Sequence, residues 1–394
     1  MRLFFIMKFA FLNRAIRKYM LFVHNHIFYR SVEWEGKENI PTDGSGIIVA
    51  ANHQNAICGP FLTQFMYGTR QINVFAMGKA FSIPVLGSLM RWFGVMPAYR
   101  MRTDGVENVS RNGEAFNIAA EKLLNGETVV IYPEATNQVR RWLGEFSLGY
   151  LKLAFGAAEK GGFEKEIKIV PAAEHFNDYF RWQGRALLRF GEPVALSPYY
   201  ELYREKPRQA CREVNNIVRE RVHELMLDVR DDENYEAIDR ILQKDRQNNE
   251  RSMLENLKAE QARLAEIENM QADDRRVLFE RALNGEFDEK RHITPWYVLM
   301  KVLLFPLFLI SMVPNGLVLL LPEPLVRKIG RLGEKFRMFA SGIRYVVSGF
   351  IGIPVVYGVT FILECVFVSW WFALVHLLLL PWLLVFGVRY IKDF

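Results

Sequence analysis

Two long apolar stretches near the C-terminus limit the fold of this chain more than any other feature. Residues 345–388 contain one charged side chain, Glu364, and residues 296–321 contain one, Lys301. A helix needs roughly 20 apolar residues to cross a bilayer, and irregular backbone exposed to lipid leaves its polar groups unsatisfied. Residues 293–394 are therefore predicted to form a helical membrane region.

Basic residues flank both apolar stretches. They are Lys290, Arg291 and Lys301 around the start of the first stretch, Arg327, Lys328, Arg331, Lys335, Arg337 and Arg344 between the two, and Arg389 and Lys392 after the second. Because Lys and Arg mark the cytoplasmic side, each stretch is expected to return to the side from which it entered. We predict a two-span hairpin over 345–388 and a re-entrant or interfacial hairpin over 297–321, bent at Pro314 to Gly316. Glu364 then falls near the far interface, either as a functional carboxylate or as a snorkelled bystander.

The N-terminal segment 1–32 is basic and apolar and contains no acidic side chain. This composition predicts an interfacial amphipathic helix, with its apolar side in the lipid and its basic side at the headgroups. A helix packed on its own domain has the same periodicity and is the alternative. The net charge of +6 lies beside apolar stretches, which favours an anionic membrane surface as partner and not nucleic acid.

Residues 33–230 alternate between short apolar runs and amphipathic segments. Predicted strands are 46–51, 72–77, 128–132, 168–172 and 186–190, and predicted helices are 60–67, 84–93, 114–124, 148–160 and 209–227. This alternation predicts an α/β layer fold, a mixed sheet flanked by helices. Residues 231–292 carry dense charge of both signs, with leucines at near-helical spacing, which predicts a long, solvated, charged helical connector.

A candidate base follows the first predicted strand directly. Residues 52–60 read NHQNAICGP, and His53 sits where a buried strand gives way to small and amide residues. Imidazole is the side chain whose ordinary pKa lets it take a proton near neutral pH. A single histidine more often has a structural role than a catalytic one, so the interpretation of His53 as a base depends on the segments that follow.

Three further segments accompany His53 along the chain: 94–100 reads GVMPAYR, 129–137 reads VVIYPEATN, and 169–173 reads IVPAA. In this order and spacing they resemble the four motif blocks of the glycerolipid acyltransferases, the family that includes 1-acylglycerol-3-phosphate acyltransferase. The resemblance covers roughly residues 30 to 200. It implies that 33–230 is an acyltransferase domain and that His53 is catalytic. It also implies that the substrate is bound by Pro97, Arg100, Glu134, Ala135 and Thr136, with Pro171 as the motif-four proline.

The chain departs from the family pattern at two positions. The family places an aspartate after the histidine, with four or, in some branches, five residues between them, and here Cys58 and Gly59 occupy those places. The family's third motif usually has glycine after the glutamate, where this chain has Ala135. In acyl-transfer sites a carboxylate fixes the imidazole tautomer and stabilises the imidazolium. Its absence leaves a catalytically impaired homologue, a scaffold for lysolipid or acyl-carrier protein, as the alternative.

The resemblance implies acyl transfer from acyl-CoA or acyl-carrier protein to a hydroxyl of a lysophospholipid or glycerol phosphate at the membrane surface. His53 would be the general base, with the catalytic domain on the cytoplasmic face, and Arg100 would grip phosphate. Glu134 would either hold glycerol hydroxyls or fix its loop by accepting from backbone N–H groups. A Cys58 nucleophile activated by His53 is a further alternative. The chemistry needs no cofactor and no metal.

Overall fold

The computed structural model describes residues 2–99, 112–135, 140–288, 293–331 and 333–392. Within them, an eight-stranded mixed sheet forms the centre of the N-terminal half and confirms the predicted fold class. The strands are β1 Tyr29–Glu35, β2 Gly46–Ala51, β3 Asn73–Met77, β4 Val95–Ala98, β5 Thr128–Ile131, β6 Ile167–Phe176, β7 Gly184–Phe190 and β8 Val194–Ala195.

The strand order is β1-β7-β6-β2-β5-β3-β4, with β8 also paired to β6. β2 lies between β5 and β6 and is parallel to both, whereas β7 and β8 are antiparallel to β6. The carboxyl ends of β2, β5 and β6 therefore meet at one edge of the sheet, which is where open α/β sheets bind ligands. The sequence pattern missed β1, β4 and β8, two of which are edge strands and one of which has two residues.

Helices cover both faces of the sheet. They are α1 Arg2–Phe22, α2 Cys58–Gln64, α3 Pro84–Trp92, α4 Asn112–Leu124, α5 Gly149–Lys160, α6 Tyr200–Glu205 and α7 Pro207–Leu225. One face packs against α4, α5 and α7 through buried residues such as Leu123, Leu153 and Val218. The other face packs against α2, the segment after α1 and the C-terminal helices, through Leu62, Val23 and Val318.

The segment predicted as a solvated connector packs against the sheet. It forms α8 Tyr235–Arg246, α9 Met253–Glu268 and α10 Ala272–Leu283. Leu257 and Ile267 of α9 are buried in a separate cluster with Leu187 of β7. The prediction of a solvated segment was wrong because the leucine spacing marks an apolar face that the sheet edge covers.

The C-terminal region is helical, as predicted. It contains α11 Pro295–Leu320, α12 Glu323–Gly330, α13 Glu334–Arg344, a π-helical segment Tyr345–Gly352, α14 Ile353–Phe367 and α15 Trp370–Lys392. Three stretches of the described chain are long and apolar enough to cross a membrane: Pro295–Leu320, Phe339–Phe367 and Trp370–Lys392.

The bend predicted at Pro314 to Gly316 is absent, because α11 runs as one helix through this point. Polar contacts from neighbouring helices support it there. Asn315 Nδ2 donates to the carbonyl of Leu380 in α15 at 3.3 Å, and Tyr357 Oη of α14 donates to Asn315 Oδ1 at 2.7 Å. Proline interrupts a helix less in this setting than in water, since adjacent helices and polar side chains supply the missing partners.

The start of α11 lies beside the end of α15, next to the sheet domain. Lys301 Nζ donates to the carbonyl of Tyr390 at 3.1 Å, and Tyr390 Oη donates to the Lys301 carbonyl at 2.8 Å. Two residues further on, Lys392 Nζ donates to the carbonyl of Trp182 in the sheet domain at 3.3 Å.

Residues that follow α11 contact the same surface of the sheet domain. Glu323 follows α11 and pairs with Arg344, with 2.7 Å between Oε1 and Nε. Arg344 Nη1 in turn donates to the carbonyl of Phe180 at 3.2 Å. Basic residues that flank both apolar stretches therefore contact residues 180–182 of one domain.

Candidate active site

His53 lies two residues beyond β2, at the sheet edge where β5 and β6 also end. Its side chain is half-buried, and its ring packs on Tyr132, which directly follows β5, with 4.2 Å between ring centroids. Tyr132 Oη is 3.0 Å from Thr63 Oγ1 of α2. The imidazole is thus held against an aromatic face at the strand ends, a location suited to a base at a pocket mouth.

Glu134 fixes the backbone around His53. Its Oε1 accepts from the His53 backbone N–H at 2.7 Å, and its Oε2 accepts from the Gly144 backbone N–H at 2.8 Å. The side chain is 7% exposed. Of the two roles expected for this carboxylate, the contacts correspond to the loop-fixing one.

Ala135 stands where the family has glycine, and its φ is 58°. That value lies in the left-handed region, which costs an L-residue about 1–2 kcal/mol relative to the right-handed one. The position therefore favours the glycine that the family uses, and the alanine here is strained.

Two residues of the expected substrate site, Arg100 and Thr136, lie outside the described residues. Pro97 is in β4, paired with Ala76 of β3, three strands from β2 in the sheet order. The structure therefore does not bring Pro97 beside His53. Pro171 lies opposite Ala50 in the β2–β6 pairing and is part of the sheet below the site.

A buried carboxylate that sequence reasoning missed lies at this edge. Glu174 is in β6, directly after the segment IVPAA, and is fully buried. Tyr132 Oη donates to Glu174 Oε1 at 2.8 Å. Burial, assisted by the neighbouring Glu134 carboxylate, raises the pKa of Glu174 well above its ordinary value. The sequence signal was an acidic residue inside a run that otherwise reads as a buried strand.

Cys58 does not present a nucleophile. Its side chain is 1% exposed, and burial raises the pKa of its thiol to about 12. Its backbone N–H donates to Asn55 Oδ1 at 2.9 Å, and its Sγ lies 3.9 Å from Ser341 Oγ. A reactive cysteine needs a stabilised thiolate, so this residue belongs to the core.

The C-terminal helices pack directly on the loop that carries His53. Asn55 Nδ2 donates to Ser341 Oγ of α13 at 3.2 Å. A Cβ placed on the adjacent Gly342 would lie 2.9 Å from Ile57 Cγ1. The membrane region and the start of α2 are therefore in close contact.

Basic side chains near the motifs have other roles. Arg140 pairs with Asp232, and Arg141 is buried with Nη2 donating to the carbonyl of Phe176 at 2.9 Å. A separate cleft of about 690 Å³ lies between α1 and the domain. It is lined by Asn13, Arg14, Arg17, Tyr67, Thr69, Arg70, Gln71 and Trp92. His53 does not line that cleft.

Comparisons with known proteins find similarity to acyltransferases over part of this chain. The family model described as Acyltransferase matches residues 31–174. Glycerol-3-phosphate O-acyltransferase 2 of Saccharomyces cerevisiae is 29% identical over 99 residues, which are 25% of this chain and 13% of the yeast protein. Among solved structures, the 1-acyl-sn-glycerophosphate acyltransferase PlsC from Thermotoga maritima is 22% identical, with a TM-score of 0.39 over 55% of this chain and 80% of that one.

The sheet edge and its histidine lie within residues 31–174, the part of the chain that the Acyltransferase family model matches. The resemblance to the PlsC-like glycerolipid acyltransferases, predicted from the four motifs, is confirmed for this domain.

Proposed function

We propose that this chain is a membrane-bound O-acyltransferase. It moves a fatty acyl group from a thioester donor, acyl-CoA or acyl-carrier protein, to a hydroxyl of lysophosphatidate or a related glycerolipid. The observation that carries the proposal is the convergence at His53. The motif-three glutamate binds its backbone, Tyr132 packs on its ring, and the motif-four strand runs beside it.

The chemistry follows from an imidazole with no enzyme nucleophile beside it in the described part of the chain. His53 removes the proton of the acceptor hydroxyl as that oxygen attacks the thioester carbonyl. The tetrahedral intermediate collapses, the carbon–sulfur bond breaks, and the imidazolium returns the proton to the departing thiolate. Holding donor and acceptor in line supplies much of the rate.

Phosphate binding is assigned to Arg100 on the motif alone. A guanidinium forms two parallel bonds to phosphate oxygens, which suits an acceptor with a phosphate headgroup. Arg100→Lys keeps the charge and loses this bidentate geometry, so it is expected to raise KM for a phosphorylated acceptor more than it changes kcat. An unchanged KM removes Arg100 from the site.

The membrane contact explains how a long acyl chain reaches the site. Ser341 and Gly342 of α13 touch the loop after His53, and the apolar stretch Phe339–Phe367 begins there. We infer that the acyltransferase domain lies on the cytoplasmic face with its site at the bilayer surface. Tags within 324–331 and after 392 are expected on the same side as the domain. A tag within 324–331 reachable only from the opposite side overturns this topology.

The test is an acyl-transfer assay on membranes containing the full chain, with lysophosphatidate, glycerol 3-phosphate and other lysolipids offered in parallel. Acyl-CoA and acyl-carrier protein donors are each supplied. His53→Ala is expected to abolish transfer, because it removes the group that takes the hydroxyl proton. His223→Ala is the matched control, since that ring is exposed and pairs with Asp228. Binding of lysolipid without transfer favours the scaffold alternative.

A further inference from the structure

The side chain of Glu174 occupies the space into which a motif aspartate at position 59 would project. A Cβ built on Gly59 would lie 2.7 Å from Glu174 Cδ and closer still to both carboxylate oxygens. A side chain at position 59 would therefore require the Glu174 carboxylate to move. The absence of a side chain at Gly59 therefore leaves room for the side chain of Glu174 from β6.

Asn52 holds the backbone of Glu174 next to the residue that precedes the base. The backbone N–H of Glu174 donates to Asn52 Oδ1 at 2.6 Å, and Asn52 Nδ2 donates to the Glu174 carbonyl at 3.3 Å. Asn52 immediately precedes His53. The amide thus ties the residue before the base to the backbone of the acid in β6.

Tyr132 joins the two side chains. Its ring packs on the His53 imidazole, and its hydroxyl donates to Glu174 Oε1. The backbone of Gln54 also approaches the Glu174 carboxylate and has the smallest effect on its pKa. Within the described chain, Glu174 Oε2 has no hydrogen-bond partner. None of the Lys and Arg side chains that the structure describes pairs with Glu174. Burying a carboxyl without a cationic partner costs folding free energy, and such groups are concentrated at functional sites.

We propose that Glu174 is the positioning acid of this site, supplied by β6 in place of the aspartate that the family places at the start of α2. This inference rests on the proposed acyltransferase function. In its charged form the carboxylate stabilises the imidazolium that His53 becomes on taking the hydroxyl proton, and it orients the ring through Tyr132. The missing aspartate is thereby replaced, and the site is complete.

The first test replaces Glu174 with glutamine in the full chain. Glu174→Gln keeps the size and the acceptor for Tyr132 but cannot carry negative charge. We expect kcat to fall by on the order of 10²-fold or more, with KM for the acceptor changed little. Wild-type turnover should rise with pH as the carboxyl ionises, and Glu174→Gln should remove that limb of the profile. A merely structural role would leave the profile unchanged.

The second test moves the acid back to the motif position. Gly59→Asp alone should lower activity, because its Cβ displaces the Glu174 carboxylate from its present position. Glu174→Ala alone should be inactive for lack of an acid. The double variant Gly59→Asp/Glu174→Ala should recover at least tenfold over Glu174→Ala, since the new carboxylate enters the vacated space. Gly59→Asn/Glu174→Ala is the matched control, with the same volume and no charge, and should not recover.

The outcomes separate this inference from the proposed function. If wild type shows no transfer with any donor and acceptor, both the proposed function and this inference are overturned. If wild type is active and Glu174→Gln keeps both its kcat and its pH profile, the inference alone is overturned. Recovery of equal size in the Gly59→Asn/Glu174→Ala control also overturns it, because packing and not charge would then explain the effect.

Discussion

Two fully buried glutamates lie on opposite faces of β6, and they differ in their partners. Glu174 faces α2 and the His53 loop, and the structure describes no cation beside it. Glu260 of α9 reaches the other face, where Arg246 Nε donates to its Oε1 at 2.7 Å and His175 Nε2 lies 3.0 Å from its Oε2.

The pKa shifts of the two carboxyls have opposite signs. Burial raises the pKa of Glu174 well above its ordinary value near 4.5. Burial alone would do the same to Glu260, but Arg246 and His175 reverse it and lower that pKa to about 2. We therefore assign the Glu260 carboxylate, which has cationic partners, to the folding of the domain, and the Glu174 carboxylate to the proposed site.

The largest effect on stability is expected from the loss of the Glu260 carboxylate, which pairs with Arg246. Glu260→Gln leaves the buried Arg246 with Asp239 as its remaining described carboxylate partner, so it should destabilise the domain by about 3 kcal/mol. Because the Glu260 pKa is depressed on folding, its contribution is present above pH 4.5 and is lost as pH falls toward 2. Thermal unfolding at pH 7 and pH 3 measures this. Glu266→Gln on the same helix is the control, since that exposed pair contributes little.

For Glu174 we expect the opposite dependence of folding stability on pH. With a pKa raised on folding, Glu174 binds its proton more tightly in the folded state, so wild-type stability falls as pH rises above 4.5. Glu174→Gln removes that dependence. Its melting temperature should equal or exceed that of wild type at pH 8 while its turnover falls. The difference in melting temperature between Glu174→Gln and wild type should be larger at pH 8 than at pH 5. A smaller difference at pH 8 contradicts the assignment.

A third change tests the contact between the site loop and the membrane helices on the Glu174 side. A Cβ at Gly342 meets Ile57, so Gly342→Ala should overpack that contact and cost about 1–3 kcal/mol. Transfer activity should fall with it. Gly358→Ala is the matched control, because a Cβ at Gly358 meets nothing within 4 Å. Unfolding in lipid nanodiscs and the acyl-transfer rate are the readouts.

The smallest predicted effect is at Ala135. Ala135→Gly relieves a positive φ and should stabilise the domain by about 1 kcal/mol without loss of activity. Ala265→Gly, at an exposed position of α9, should do the opposite by a similar amount. Denaturant unfolding of the two variants measures both shifts. If Ala135→Gly is destabilising, the left-handed conformation at this position is wrong.

The sequence predicted the fold class, and it placed His53 just after a buried strand, because both depend on local patterns. Apolar runs of four to six residues mark β2 and β5, and leucine periodicity marks the helices. The solvated state of 231–292 and the bend in α11 were wrong, since both depend on which surface a helix meets. Glu174 was missed for the same reason: its partner at Gly59 is distant in sequence, and only the pairing of β2 with β6 brings the two together.

The most direct measurement is the initial rate of thiol release from a long-chain acyl-CoA or acyl-carrier protein, dependent on lysophosphatidate, for the full chain in lipid. Wild type should show acceptor-dependent release, and His53→Gln should reduce it by about 10²–10⁴-fold, because a glutamine of similar size cannot take the hydroxyl proton. Equal rates for wild type and His53→Gln would contradict the assignment of this imidazole as the base.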